Sequence, residues 1–129
     1  MQGHSSRRRV AALLAIVFLA TTAICLLVAR VHPRWALEGT VGFLSSLGPL
    51  EDTTYYAVGY SDRAFLKIKP GISCAEVEAL LGPPLEVREL KGDQLWLYSS
   101  RREDTSYHER VVVVRDCIAI RRLSSYYVD

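Results

Sequence analysis

Residues 67–84 read KIKPGISCAEVEALLGPP, and this stretch decides the fold of the chain. It opens with Pro70-Gly71, a dipeptide that is typical of turns. Ser73 and Glu76 stand three positions apart, as in a capping box, where each side chain accepts a hydrogen bond from the backbone N–H of the other residue. The pattern therefore predicts a helix that begins immediately after Ser73.

The body and the end of this helix are equally well marked in the sequence. Val77, Leu80 and Leu81 fall at i, i+3 and i+4 and form one apolar stripe. Gly82 stands where a left-handed residue ends many helices, and the prolines at 83–84 prevent continuation. A helix this short is marginal alone, so we expect its stripe to pack against the strand-rich segment that follows.

After this helix the apolar pattern changes from helical spacing to alternation, which indicates β-strands. Lys91-Gly92-Asp93 predicts a tight hairpin turn, and Asp116-Cys117 predicts a second one. The expected strands cover residues 85–91, 94–100, 108–115 and 118–123. The sequence thus predicts an antiparallel meander in the second half of the chain.

Together these elements predict an α+β fold, with two short helices packed on a three- to four-stranded antiparallel meander. The first of these helices is expected at residues 63–69, where Ser61-Asp62 can cap its start. A sheet of this size needs a cover for one face, and the two helices are the available cover. The folded domain is therefore expected to span residues 61–129.

The N-terminal part of the chain is expected to cross a membrane. Residues 10–29 contain no charge, no proline and no glycine, and they have about the length of a helix that spans a bilayer core. Arginines at residues 7–9 favour a cytoplasmic N-terminus and an exported remainder. A cleaved signal peptide is the main alternative, and a buried helix of a soluble protein is a weaker one.

These features predict how the chain is organised relative to the membrane. We expect a single-pass protein of a bacterial inner membrane, with its C-terminal domain in the periplasm or otherwise outside the cytoplasm. Trp35 fits an interfacial anchor, and residues 36–47 could form a short amphipathic helix lying on the membrane, although Gly39 and Gly42 weaken it. The predicted segments are a basic cytoplasmic tail at 1–9, a transmembrane signal anchor at 10–29, a juxtamembrane linker at 30–60 and the domain at 61–129.

The distribution of charge argues against nucleic-acid binding. The chain has 16 Lys and Arg residues against 14 Asp and Glu residues, but four of the basic residues lie at or before Arg30. All the acidic residues lie after that position, so the remainder of the chain is close to neutral. A nucleic-acid-binding domain is usually clearly basic, and this one is not.

Cys74 and Cys117 are the two cysteines of the expected exported domain. Outside the cytoplasm, a pair of cysteines in a small domain is reasonably interpreted as a disulfide, here between the start of the capped helix and the last hairpin turn. The alternative is two separate thiols that lie too far apart to bridge. Cys25 lies inside the apolar run and is interpreted as a membrane-buried thiol rather than a site of lipid attachment.

The sequence contains no recognisable catalytic constellation, and we expect no catalytic residue, metal site, cofactor or small-molecule substrate. His108, at the start of a strand, is interpreted as an ordinary strand residue rather than a general base. Four arginines form the candidate partner surface: Arg101, Arg102, Arg121 and Arg122. They could line one edge or face of the sheet and bind an acidic protein partner, or they could protect the edge by their charge.

The helix motif with its trailing strands resembles the SmpA/OmlA (BamE-like) family of small envelope proteins, and the fold of the β-lactamase-inhibitor-protein repeats. The residues that carry the resemblance are Phe65, Ile68, Gly71, Ile72, Ser73, Val77, Leu80, Leu81, Gly82 and Pro84, followed by Trp96, Tyr98 and a valine-rich strand. The resemblance implies structural roles for the turn, the helix stripe and the tryptophan.

The chain departs from the family pattern at two positions that matter. Cys117 stands where a turn glycine is common, so a disulfide there would be a variation on the family fold. The lipoprotein cysteine of the family is missing, and an apolar helix takes its place. Residence in the outer membrane is therefore not carried over, and neither is any partner-binding residue.

These observations predict a non-enzymatic binding or scaffold module of the cell envelope, held by a single transmembrane helix. Its role would relate to outer-membrane assembly or envelope integrity, with the membrane and a protein of unknown identity as partners. A secreted inhibitor that binds a hydrolase after signal cleavage is the alternative. An envelope enzyme with an unrecognised site is a third hypothesis, which requires a cleft with converging polar groups.

Overall fold

The structure is a computed structural model that describes residues 3–47, 53–102 and 106–127. The chain divides into two compact units, Met1–His32 and Pro33–Asp129. The helices are α1 (Gly3–Val31), α2 (Pro33–Leu47), α3 (Asp62–Lys67) and α4 (Cys74–Leu81), and the strands are β1 (Thr54–Tyr56), β2 (Glu86–Leu90), β3 (Asp93–Leu97), β4 (Ser99–Arg101), β5 (Tyr107–Arg115) and β6 (Ile118–Tyr127). The predicted α+β class is confirmed.

The first unit consists of the long apolar helix α1. Its 20-residue stretch Arg9–Val28 is long and apolar enough to cross a membrane, and none of this stretch is buried. The hydroxyls of Thr21 and Thr22 donate to the carbonyls of Val17 and Phe18, which satisfies these polar side chains within the helix. Helix α1 is therefore a membrane anchor or a signal sequence.

The two short helices begin with the caps that the sequence indicates. The side chain of Ser61 accepts from the backbone N–H of Ala64 at the start of α3. At the start of α4, Ser73 and Glu76 form the reciprocal capping box, with the Ser73 N–H donating to a Glu76 carboxylate oxygen at 2.8 Å. Helix α4 ends at Gly82, which has a φ of 74°.

Four strands form the predicted antiparallel meander, in the order β2-β3-β5-β6. Its two tight hairpins have positive φ at both central residues, 53° and 87° at Lys91-Gly92 and 49° and 58° at Asp116-Cys117. These are the backbone conformations that match the right-handed twist of paired strands. Strand β6 runs on to Tyr127, four residues beyond the predicted end of the fourth strand.

The second predicted strand, at residues 94–100, is broken at Tyr98. Strand β3 ends at Leu97, and β4 then pairs with β1 in a separate two-stranded sheet. The neighbour changes because β2 has no residues left to pair: the Leu85 N–H already donates to the Leu97 carbonyl at the end of the β2–β3 ladder. Strand β1 supplies the hydrogen-bond partners beyond that point.

The segment predicted as a juxtamembrane linker at 30–60 contains α2 and β1, and Pro33–Asp129 form one compact unit. Helix α2 packs against α3 and β6. The hydroxyl of Ser124 on β6 donates to the Leu37 carbonyl at 2.7 Å. Leu37 also packs against the core, so this part of the chain belongs to the folded unit.

The core lies between the short helices and one face of the four-stranded sheet, which we call the covered face. Phe65, Val77 and Leu81 from the helices pack on sheet residues that include Val112 and Val114. The predicted disulfide between Cys74 and Cys117 is present, with the two Cα atoms 5.1 Å apart. It joins the start of α4 to the last hairpin, where the Cys74 N–H also donates to the Cys117 carbonyl at 3.0 Å.

Candidate functional site

The five residues predicted to be structural all lie at turns, caps or in the core. Gly71 has a φ of 96°, and its N–H donates to the Ala119 carbonyl on β6 at 2.8 Å. Trp96 is buried on the covered face and donates from its indole N–H to Gln94. At Gly82, a Cβ would meet the Val58 carbonyl oxygen at 2.5 Å, so the backbone approaches closely there. Ser73 and Glu76 form the cap described above.

The four arginines of the predicted partner surface have different surroundings. Arg122 points to the covered face, where its guanidinium donates to the Phe65, Leu66 and Ile68 carbonyls at the end of α3. A cation at this position satisfies carbonyls that the helix itself leaves without partners. Arg122 therefore caps the C-terminal end of α3.

Arg101, Arg102 and Arg121 are exposed. Arg121 faces the opposite side of β6 from Arg122 because side chains alternate along a strand. The guanidinium of Arg102 lies 5.3 Å from the centre of the Tyr55 ring. Only Arg101 of the four lines the groove described below, so the structure does not gather the four residues around that groove.

A cluster of charged groups lies inside the second unit, where sequence reasoning expected none. We call Arg34, Glu38, Asp62, His108 and Arg110 the buried charge cluster. Arg110 has no exposed surface, and it donates to Glu38 at 2.5 Å and to Asp62 at 3.1 Å. The Glu38 side chain is 2% exposed. The cluster joins α2, α3 and β5.

His108 is the second fully buried member of the cluster. Its Nδ1 donates to Glu38 at 2.7 Å, and its Nε2 accepts from Arg34 at 3.2 Å. Because the arginine can only donate, Nε2 is the acceptor in this geometry and Nδ1 is the donor. The expectation of an ordinary strand residue missed these contacts.

Electrostatics within the cluster favour the ionised forms of its acid and base. Burial raises the pKa of Glu38, but hydrogen bonds from His108 and Arg110 outweigh it and hold the pKa below the ordinary value of 4.5. Burial lowers the pKa of Arg110, and the hydrogen bond to Glu38 reverses this effect and raises it. Burial also raises the pKa of Tyr60, whose hydroxyl donates to Asp62 at 2.7 Å.

Two glycines let α2 reach the cluster. At Gly39 the backbone leaves helical geometry, with a φ of 65° and a ψ of −145°, and the helix bends. The rings of Trp35 and Phe43 meet across this bend, with centroids 5.6 Å apart. At Gly42 a Cβ would collide with Glu38, so a larger residue would displace that carboxylate. The glycines that weaken a straight helix are the ones that shape this bent one.

One signal in the sequence could have revealed the cluster. His108, Arg110, Val112 and Val114 occupy alternate positions along β5. All four side chains therefore point to the covered face of the sheet. A charge on the core face of a strand needs a partner. The partner Glu38 lies about 70 positions earlier, and nothing local in the sequence links them.

The face of the sheet opposite the short helices, which we call the open face, carries a groove of about 440 Å³. Leu97, Val111 and Leu123 stand side by side on this face across three strands. The rings of Tyr107 and Tyr127 stack on the same face further along β5 and β6, with centroids 5.2 Å apart. The groove is lined by Arg88, Leu97, Ser99, Ser100, Arg101, Tyr107, Glu109 and Tyr127.

The groove combines two arginines, one carboxylate and aromatic surface. Arg88 lies on β2, where it also forms a bidentate ion pair with Glu86 at 2.7 and 2.8 Å. Every residue of β2 is exposed, and the strand forms one edge of the four-stranded sheet. Glu109 accepts from the Tyr127 hydroxyl at 3.3 Å. Such a surface offers hydrogen bonds and stacking to an extended polar ligand.

Within residues 3–47, 53–102 and 106–127, no group of three or more His, Cys, Asp or Glu side chains is arranged to hold a metal ion. The charged groups of the buried charge cluster bond to one another and join three elements, although the Nη2 of Arg110 is buried without a hydrogen-bond partner among the described residues. The groove on the open face is therefore the candidate functional site, and its chemistry suits binding.

The chain was compared with known proteins in three ways. A scan against protein-family models finds no match, and searches of curated proteins and of solved structures also find none.

Proposed function

We propose that the chain is a non-enzymatic binding module of the cell envelope. Helix α1 anchors it as a single-pass protein of a bacterial inner membrane, with its N-terminus in the cytoplasm and its folded unit outside. The apolar stretch Arg9–Val28 supports the anchor by its length. The Cys74–Cys117 disulfide supports the location, because such bonds persist in oxidising compartments.

The groove on the open face is the observation that carries the proposed binding role. It lies on the sheet face opposite the short helices and next to the exposed edge strand β2. Its lining holds two arginines and one carboxylate, and Glu86 already pairs with Arg88, so the groove offers hydrogen-bond donors rather than a net positive charge. We therefore expect the partner to be a protein that lays an extended, polar segment across Tyr107 and Tyr127.

Kinship with the SmpA/OmlA family is part of this proposal. The order of two short helices followed by an antiparallel meander supports it, as does the capping box at the start of α4. The anchor differs, because α1 stands in place of a lipoprotein cysteine. A role in outer-membrane assembly or envelope integrity follows only from this kinship.

Site-specific photocrosslinking from position 127 tests the binding role. A photoreactive phenylalanine analogue replaces Tyr127 in the full-length chain, in cells, and we expect one dominant adduct. Reversing both groove charges, with Arg88→Glu and Arg101→Glu, should abolish it. The matched control is Arg63→Glu, which reverses an exposed charge on α3 and should leave the adduct unchanged.

Two results would count against this proposal. If the adduct still forms after both groove charges are reversed, the two arginines do not take part in recognising the partner. A short, soluble form of the chain, produced by cleavage near the end of α1, would exclude the anchor and favour the secreted-inhibitor hypothesis.

A further inference from the structure

Helix α2 has its polarity reversed relative to an ordinary surface helix. Arg34 and Glu38 are its two charged residues, and both point into the folded unit, where they join the buried charge cluster. A helix on the surface of a soluble protein normally directs its charges to water and its apolar residues to the core.

The outward positions of α2 are uncharged and largely apolar. We call the exposed residues Trp35, Val41 and Leu44, with the half-buried Phe43 between them, the outer patch. Val41 and Leu44 are 56% and 57% exposed. Trp35 contacts Phe43 across the bend at Gly39, so the patch is continuous over both segments of the helix. Ala36 and Thr40 are the remaining exposed positions among residues 33–45.

Covalent continuity points to the occupant of this surface. A single residue, His32, separates the end of α1 at Val31 from the start of α2 at Pro33. One residue spans less than about 4 Å, so the start of α2 cannot leave the boundary of any bilayer that α1 crosses. Tryptophan at this depth is typical of a membrane interface.

We infer that α2 is an interfacial helix whose outer patch sits in the headgroup region of the membrane. This inference depends on the proposed function, because it requires α1 to stay in the bilayer. The outer patch carries no charge, so apolar burial provides the affinity and anionic lipid is not required. The buried charge cluster fixes α2 to the folded unit, and the unit is consequently held at the lipid surface.

Quenching of tryptophan fluorescence by brominated lipid tests this contact. Trp35 lies near the interface whenever α1 spans the membrane, so it does not report on the rest of α2. The probe is therefore placed at position 44, beyond the bend at Gly39. The full-length chain with Trp35→Phe and Leu44→Trp is reconstituted in vesicles of phosphatidylcholine or its brominated analogue. Trp35→Phe alone gives the signal of the remaining Trp96 for subtraction.

The matched control places the same probe on a distant exposed position. Val87 lies on β2, at the opposite edge of the sheet from β6, on which α2 packs. Three strand spacings separate the two edges, roughly 14 Å. We expect brominated lipid to remove most of the fluorescence from position 44 and little from Val87→Trp in the same background.

Further readouts separate the possible failures. Cys74 and Cys117 that stay oxidised on a non-reducing gel show that each variant is folded. Cys25 protected from an aqueous maleimide shows that α1 is inserted. If Cys25 is protected and position 44 is not quenched, the inference is overturned while the anchor stands. If Cys25 reacts, the anchor and the inference both fail.

The remaining outcome identifies a different occupant. Position 44 could be shielded from aqueous acrylamide and yet not be quenched by brominated lipid. Protein would then cover the outer patch, either a second copy of the chain or another partner, and the lipid contact would be excluded.

Discussion

At the scale of single residues, a few side chains with unusual surroundings determine how the folded unit is held together. Arg110 is buried on the core face of β5 and bonded to two carboxylates from other elements. Buried ion pairs of this kind add little compared with apolar packing, but they are costly to break from one side. The cluster therefore acts as a specific lock between α2, α3 and the sheet.

Replacing Arg110 by methionine should destabilise the folded unit by about 3–5 kcal/mol, because Glu38 loses a buried partner. The matched control is Arg115→Met, which removes an arginine paired with Asp93 at 2.6 Å and 58% exposed. That change should cost about 0–1 kcal/mol. Thermal unfolding of the full-length chain in detergent measures both values. Equal effects of the two substitutions would contradict the proposed lock.

The depressed pKa of Glu38 predicts how stability depends on pH. A carboxyl group with a lowered pKa in the folded state stabilises fully above its unfolded pKa of about 4.5 and loses this contribution as the pH falls through the folded value. Glu38→Gln should therefore lower the melting temperature at pH 7. The difference from the unchanged chain should shrink below pH 4.5. If the difference in melting temperature stayed constant from pH 7 to pH 3, it would not come from the ionised carboxylate of Glu38.

A comparison of alanine variants at Gly82 and Gly92 distinguishes the cost of backbone strain from the cost of a steric collision. Both have positive φ, 74° and 87°, but a Cβ would meet the Val58 carbonyl oxygen only at Gly82, while Gly92 faces open space. Gly92→Ala should cost about 1–2 kcal/mol from conformation alone. Gly82→Ala should cost more, because the collision adds to the strain. Urea denaturation of both variants checks the order, and a larger loss at Gly92 would refute the close approach.

At the scale of secondary-structure elements, local signals predicted most of the fold. The capping box of Ser73 and Glu76 and the turn at Lys91-Gly92 need only neighbours in sequence, so they could be recognised without a structure. The break at Tyr98 could not be recognised, because it depends on pairing with β1 about 45 positions earlier. The packing of α2 into the folded unit was not predicted for a related reason, since this helix bends at Gly39 and its charges point inward.

The candidate site was only partly accessible from the sequence. Arg101 was predicted as part of a partner surface and does line the groove, but Arg122 caps the end of α3. Which face of the sheet each arginine occupies depends on strand register. Tyr107 and Tyr127 come together only because β5 and β6 pair over their whole length.

The disulfide connects two elements, α4 and the last hairpin, and it closes a loop with a sequence separation of 43 residues. In the chain-entropy model, a loop of this length contributes about 4 kcal/mol. The double replacement Cys74→Ser and Cys117→Ser should lower stability by roughly this amount, measured by thermal unfolding. Cys25→Ser removes the remaining cysteine and should leave stability unchanged. If Cys25→Ser lowered stability as much as the double replacement does, the assignment of the disulfide to Cys74 and Cys117 would be contradicted.

At the scale of the whole molecule, the chain combines an apolar helix with a small, disulfide-bonded α+β unit. In the proposed function, the groove on the open face is the surface for a partner and α1 is the membrane anchor. Both parts of the proposal need the folded unit to lie outside the cytoplasm. That location is the central claim, because the anchor, the disulfide and the binding role all depend on it.

Membrane fractionation combined with thiol blocking of the full-length chain in cells tests this claim most directly. We expect the intact chain in the membrane pellet, with Cys74 and Cys117 unreactive towards a maleimide until a reductant is added. Free thiols at both positions before reduction would contradict export to an oxidising compartment.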